Sequence, residues 1–96
     1  MKTEKYLPIG SVIQLQGASK RIMIYGRCQK QMDTETIWDY IACLYPEGNL
    51  QADQSILFNH DQIGEVFFIG YQDKEEFAFL EKYLEEMKQI GMGKAQ

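Results

Sequence analysis

Residues that carry metal or nucleophilic chemistry are scarce in this sequence. It has one histidine, His60, and two cysteines, Cys28 and Cys43, with no CxxC and no Cys/His group at metal-ligand spacing. There is no phosphate-binding glycine loop and no nucleophile elbow; Gly10, Gly17, Gly26, Gly64 and Gly70 stand singly. No apolar window approaches the length of a membrane span, and the charged start Met1-Lys2-Thr3-Glu4-Lys5 meets Pro8 and Gly10 rather than a signal-peptide core. The expectation is a cytoplasmic protein with no cofactor, no metal and no membrane contact. The thiols read as free and buried, with a cross-strand disulfide as the alternative.

Positive charge is absent from the middle of the chain. Through Gln31 the basic residues Lys2, Lys5, Lys20, Arg21, Arg27 and Lys30 face a single acid, Glu4. From Met32 to Gln72 there are acids only: Asp33, Glu35, Asp39, Glu47, Asp53, Asp61 and Glu65. Either the two halves neutralise each other across neighbouring strands, or they form a basic and an acidic face for docking a partner. The net charge of −4 excludes nonspecific nucleic-acid binding, which needs a surplus of clustered Lys and Arg.

What is present is β-rich, and 96 residues suit one domain with one core. Tyr40 to Gly48 is the most apolar stretch: Tyr40, Ala42 and Leu44 alternate with Ile41, Cys43 and Tyr45, so both faces are apolar and the segment reads as the central strand. Pro46 ends its ladder and Gly48 takes a positive φ to reverse the chain. Before it, Tyr6 to Ser11 reads as an extended lead. Ser11 to Gln16 reads as a strand with Ile13 and Leu15 inward, and Gly17 to Lys20 as a hairpin turn. Arg21 to Gln29 is a second strand with Ile22, Ile24, Gly26 and Cys28 on one face, Gly26 marking curvature or a bulge. Lys30 to Glu35 is a polar loop. Ser55 to Asn59 reads as a fourth strand, Asn59 to Ile63 as one helical turn ended by Gly64, and Glu65 to Tyr71 as a fifth strand.

The period then changes. Asp73 sits at an N-cap with Glu76 three residues on, an acidic capping box. Phe77, Leu80, Leu84 and Met87 recur at helical spacing, with Phe79, Tyr83 and Ile90 as a second row, and Gly91 stops the helix. The first row is expected to close the open side of the sheet, and Tyr83, Met87 and Ile90 to remain available to a partner helix. The fold class is therefore α+β: a strongly curved, five-stranded antiparallel sheet or SH3-like barrel over residues 1–71, an amphipathic helix over 73–91 and a frayed tail over 92–96.

Two constellations deserve weighing for chemistry. Cys43, His60 and Asp61 are the residue types of a thiol nucleophile, its base and an orienting carboxylate, but Cys43 lies in the most apolar strand, where a low-pKa thiolate is disfavoured. Trp38, Tyr40, Tyr45 and Tyr71 are the aromatics of a peptide groove, against the simpler reading as core and boundary residues.

The segments Tyr6-Leu7-Pro8-Ile9-Gly10-Ser11-Val12, Arg21 to Arg27, Tyr40 to Gly48 with its Cys-Leu-Tyr-Pro-Glu-Gly core, Phe58 to Ile63 and Phe68-Ile69-Gly70-Tyr71 resemble, in order and spacing, the small proteins of the domain-of-unknown-function family 4176. The helix from Lys74 matches in character. Members of that family are typically encoded in Gram-positive bacteria near type VIIb secretion genes, beside LXG toxins and small helical partner proteins. The resemblance implies a cytoplasmic adaptor or chaperone that binds an LXG toxin or its helical targeting complex before export. An immunity protein covering a toxin domain is the alternative, and a small hydrolase using a Cys/His pair a more distant one. The family supplies no catalytic residues. The residues expected to bind a partner are Trp38, Asp39, Tyr45, Glu47 and Asp53 of the acidic middle and Tyr83, Met87 and Ile90 of the helix; homo-oligomerisation stays open.

Overall fold

The computed structural model describes residues 6–31 and 34–83. Five strands follow in order: β1 (Val12–Leu15), β2 (Arg21–Lys30), β3 (Ile37–Leu44), β4 (Ile56–Phe58) and β5 (Ile63–Phe68). Helix α1 covers residues 74–83 of the described chain. All four pairings are antiparallel, in the order β4-β3-β2-β1-β5. The centre of the sheet is thus β2, not the Tyr40–Leu44 strand, which lies between β2 and β4. Both faces of β3 are nonetheless covered at their midpoint: Tyr40 and Ala42 are fully buried on one side and Cys43 is buried on the other.

The strand order forces curvature. β4 and β5 are consecutive in the chain but stand at opposite edges, joined only through the 3₁₀ turn His60–Gln62. Such a turn advances about 2 Å per residue. In a flat sheet the two strands would lie four spacings of about 4.8 Å apart. The sheet must curl until its edges approach, which is the expected small-barrel geometry. Inside sit Ile13, Ile22, Ile24, Tyr40, Ala42 and Phe58, flanked by Tyr6, Leu7, Leu15, Leu44, Ile56 and Ile63. Tyr40 stacks on Phe58 at 5.2 Å and meets the edge of Tyr6 at 5.5 Å. Each fully buried side chain of this size contributes roughly 1.5–3 kcal/mol.

Single-residue bulges do much of the bending. In β2, Ile24 pairs with Ala42 and Gly26 with Ile41, so Tyr25 is an extra residue. Beyond it the phase flips: Arg27 pairs with buried Tyr40 and is itself buried, while Gly26 turns to Ile41. The face expected to continue through Gly26 and Cys28 therefore ends at Ile24. In β5, Gly64 and Phe67 are extra residues opposite β1. Gly64 consequently lies inside the strand instead of ending the preceding turn.

Both chain reversals named from the sequence are present: Gly17 and Gly48 have φ of +79° and +86°, and the Tyr45–Pro46 bond is cis. The Asn59 turn is closed by Gln62, whose Oε1 accepts the Asn59 N–H at 2.8 Å and whose N–H donates to the Asn59 carbonyl at 3.0 Å. Ser11 is fully buried; its hydroxyl donates to the Pro8 carbonyl at 2.8 Å and accepts the Gly70 N–H at 3.0 Å. That one side chain ties the lead segment to the chain leaving β5.

Asp73 caps α1, accepting the Glu76 N–H at 3.0 Å. The reciprocal half of the capping box is not made, because the Glu76 carboxylate takes Arg27 in two bonds of 2.7 and 3.1 Å. Arg27 also donates to the Leu7 carbonyl at 3.2 Å and lies 5.8 Å from the Phe79 ring. Glu76, Leu80 and Tyr83 form the half-buried row of α1, whereas Phe77 is 56% exposed. The helix docks about one row away from the expected Phe77 stripe; Leu84, Met87 and Ile90 lie outside the described residues.

Candidate partner-binding surface

The bulge at Phe67 shapes an open apolar depression. A regular strand sends neighbours to opposite faces. With one extra residue, Phe67 and Phe68 both reach the same groove, about 470 Å³ in volume, with Gly10, Val12, Arg21, Met23 and Tyr45. Phe68, Val12, Met23 and Cys43 stand in register across four strands, an apolar row on the face opposite the Tyr40 core. The turn after β3 adds Tyr45 as the far wall. Along β5 and the chain that follows, Val66, Phe67, Phe68, Ile69 and Tyr71 are exposed by 42, 41, 61, 51 and 80%, Phe67 and Phe68 toward this groove and Val66 and Ile69 toward the barrel mouth. β5 pairs with β1 alone among the described strands, so this apolar run borders a sheet edge.

Arg21 stands at the rim of the groove with its guanidinium 4.7 Å from the Phe67 ring centre. Neighbouring Lys20 is paired with Glu47 at 2.8 Å, an exposed contact that holds the Glu47 carboxyl below its usual range. Lys30 lies 3.9 Å from Glu35. At these pairs the basic and acidic halves of the chain neutralise each other.

A second open depression, about 430 Å³, lies at the barrel mouth between Tyr6, Leu7, Pro8, His60, Ile63, Val66, Ile69 and Gln72. A hydrogen-bond chain runs beneath it. The Tyr6 hydroxyl donates to Asp39 Oδ1 at 3.0 Å and accepts from Cys28 Sγ at 3.4 Å, and Asp39 Oδ2 accepts the His60 N–H at 2.8 Å. The buried Tyr40 hydroxyl accepts the Leu7 N–H at 3.0 Å and lies 2.6 Å from His60 Nδ1. Burial is the first cause raising the pKa values of Tyr6, Tyr40, Cys28 and Tyr83 above their ordinary values, with Tyr40 pushed up to about 12. Cys28 is accordingly held as a thiol, the unreactive form.

The residues singled out from the sequence do not form one site. Asp39 is half-buried and engaged with Tyr6 and His60; Glu47 faces Lys20; Asp53 is exposed on another turn. Trp38 is half-buried and donates from Nε1 to Gln31 Oε1 at 3.0 Å. Tyr83 packs against Phe79 at 4.7 Å and reaches Cys28, and Met87 and Ile90 are outside the described residues. Only Tyr45 lines the apolar groove. Of the four candidate groove aromatics, Tyr40 is wholly inside and Tyr71 projects outward. Cys43 and His60 are not assembled either: His60 lies against Tyr40 on one face of β3 and Cys43 points to the other. Both cysteines are free. Among the described residues no His/Cys/Asp/Glu group is arranged to hold a metal, and no helix is long and apolar enough to cross a membrane.

A family profile, Domain of unknown function (DUF4176), matches residues 6–79. The chain belongs to this family. Among curated proteins and among solved structures, nothing matches it. The DUF4176 region starts at Tyr6, whose ring packs on Tyr40, and ends at Phe79, one turn past the Arg27–Glu76 pair, so it spans the whole barrel and the anchoring turn of α1. Every residue of the Tyr45–Phe68 groove falls inside it. Sequence reasoning missed Phe67, Phe68 and Arg21 as surface residues. The available signal was the unbroken run Val66-Phe67-Phe68-Ile69, too apolar for a strand with one solvated face.

Proposed function

We propose that this DUF4176 protein is a non-catalytic cytoplasmic adaptor or chaperone that binds an LXG toxin, or the toxin's small helical targeting proteins, ahead of type VIIb secretion. The observation that carries the binding role is the exposed pair Phe67 and Phe68 on edge strand β5, which together line the Tyr45–Phe68 groove. A bare apolar strand edge invites association, and a folded protein retains one where a partner covers it. The resemblance of the Tyr6, Arg21, Tyr40 and Phe58 segments to a family encoded beside LXG toxins supplies the class of partner. Helix-in-groove contact or strand addition would each cover this surface.

The test is co-expression with the neighbouring toxin and its fragments. The adaptor reading expects retention by the N-terminal LXG region or by the helical targeting proteins, and loss of retention in Phe68→Asp, whose exposed side chain leaves the core intact. Retention by the C-terminal toxin domain instead, with protection of cells, makes the protein an immunity factor. A wild-type protein that binds none of these overturns the reading.

A further inference from the structure

We infer that the Tyr45–Phe68 groove takes an amphipathic helix carrying an acidic residue at the margin of its apolar face, and that Arg21 receives that carboxylate. The inference deepens the adaptor reading and rests on it for the partner's origin, but its geometry stands alone. Arg21 holds its guanidinium over the Phe67 ring, 4.7 Å from the ring centre, a cation–π contact that uses none of its N–H donors on an oxygen acceptor. Among the described residues no carboxylate or carbonyl accepts from its N–H donors, in contrast to Arg27, which makes three hydrogen bonds, two to Glu76 and one to the Leu7 carbonyl. Lys20, the adjacent cation, is already paired with Glu47. In a chain of net charge −4, Arg21 is therefore a local positive point beside an apolar groove, dried on one side by an aromatic ring. A carboxylate can meet such a fork with two parallel bonds.

The groove's lining chooses the rest of the ligand. Val12, Met23, Tyr45, Phe67 and Phe68 offer apolar and aromatic side chains across the face of the sheet, so the contact is made through side-chain anchors, as when a helix lies in a groove. Met23 and the two phenylalanines suit Leu- or Phe-sized knobs. A basic margin on the incoming helix would be repelled at Arg21, which gives the surface a sign preference as well as an apolar one.

The probe is a short helical peptide with Leu and Phe on one face and a single Glu at that face's edge, compared with its Gln and Lys counterparts. Binding to the full chain is followed by titration calorimetry and by NMR shifts of the Arg21 side chain and the Phe67 and Phe68 rings. The Glu peptide should bind on the order of tenfold more tightly than the Gln peptide, the energy of one charge-assisted hydrogen bond, and the Lys peptide more weakly still. Arg21→Met should erase the ranking, and Arg21→Glu should invert it in favour of the Lys peptide. Arg21 is exposed at the end of β2, so both variants fold. Equal affinities for the three peptides, a ranking that survives Arg21→Met, or no binding that perturbs Phe67 and Phe68 overturns the inference. The adaptor reading fails separately, when the LXG region and the targeting proteins do not bind the wild type.

Discussion

Replacing Glu76 with Ala isolates the contact that fixes α1 on the barrel. Arg27 and Glu76 have side chains only 6 and 13% exposed, and the guanidinium has one other acceptor, the Leu7 carbonyl. Removing the carboxylate leaves a buried cation with most of its donors empty, at a cost of about 3–5 kcal/mol. A domain of this length is stable by only roughly 5–14 kcal/mol. At about 4–8 °C per kcal/mol, Tm should fall by at least about 12 °C in circular-dichroism melts. Ala is the best helix former, so the loss cannot be assigned to propensity. Arg27→Met/Glu76→Leu removes both charges and should recover most of the loss, because well-packed apolar groups often replace a buried pair without penalty. Lys20→Ala, which breaks the exposed pair with Glu47, is the control and should leave Tm unchanged. A Glu76→Ala melt within about 4 °C of wild type, or a double variant no better than the single, would refute the buried-anchor reasoning.

Three further outcomes follow from the same geometry. Tyr40 is held to about 12 against an ordinary 10.0, so the folded state keeps a proton that the unfolded chain releases. Its stabilisation is complete below pH 10 and is lost between pH 10 and 12, worth about 2–3 kcal/mol in urea midpoints, and Tyr40→Phe should flatten that alkaline decline. Cys28, raised by burial, and Cys43, 4% exposed, should both alkylate more slowly than a free thiol in the native protein; a Cys43 faster than free thiol would restore the nucleophile reading. Gly70→Ala should destabilise by roughly 2 kcal/mol or more, since a Cβ there would overlap the Ile9 carbonyl and disturb the bond to Ser11, and a wild-type melt would contradict that packing.

Local features were legible where one residue decides them. Ile13 and Leu15 alternate with Gln14 and Gln16, Gly48 reverses the chain, Asp73 caps α1, and each does so in the structure. What escaped depends on distant partners. Apolarity pointed to β3 as the centre, but β2, interrupted by Gly26 and Arg27, occupies it because it alone pairs with both β1 and β3. Glu76 was legible as half of a capping box; that it turns to Arg27 instead requires knowing that β2 changes phase. Gly64 looks like a stop signal in sequence and is a bulge in the sheet, where a Cβ would crowd Gln16. The binding surface was sought in the acidic middle, whose Asp39 and Glu47 are engaged within the protein, and it emerged on β5, where an extra residue brings two adjacent phenylalanines to one side.

The extra residue at Tyr25 has a consequence beyond curvature. The two ends of β2 serve different neighbours: Ile22 and Ile24 point into the barrel, and Arg27 points to the helix. What separates these tasks is a count rather than a kind of side chain. Regular pairing through this stretch, with Tyr25 opposite Ile41, would set Gly26 opposite Tyr40 and carry Arg27 to the outer surface, leaving Glu76 facing a residue without a side chain, though every contact-making side chain would still be encoded. The attachment of the helix is in this sense written as the parity of a strand: Arg27 stands three positions after Ile24, an odd count, and only the residue left out of register at Tyr25 returns it to the inner face.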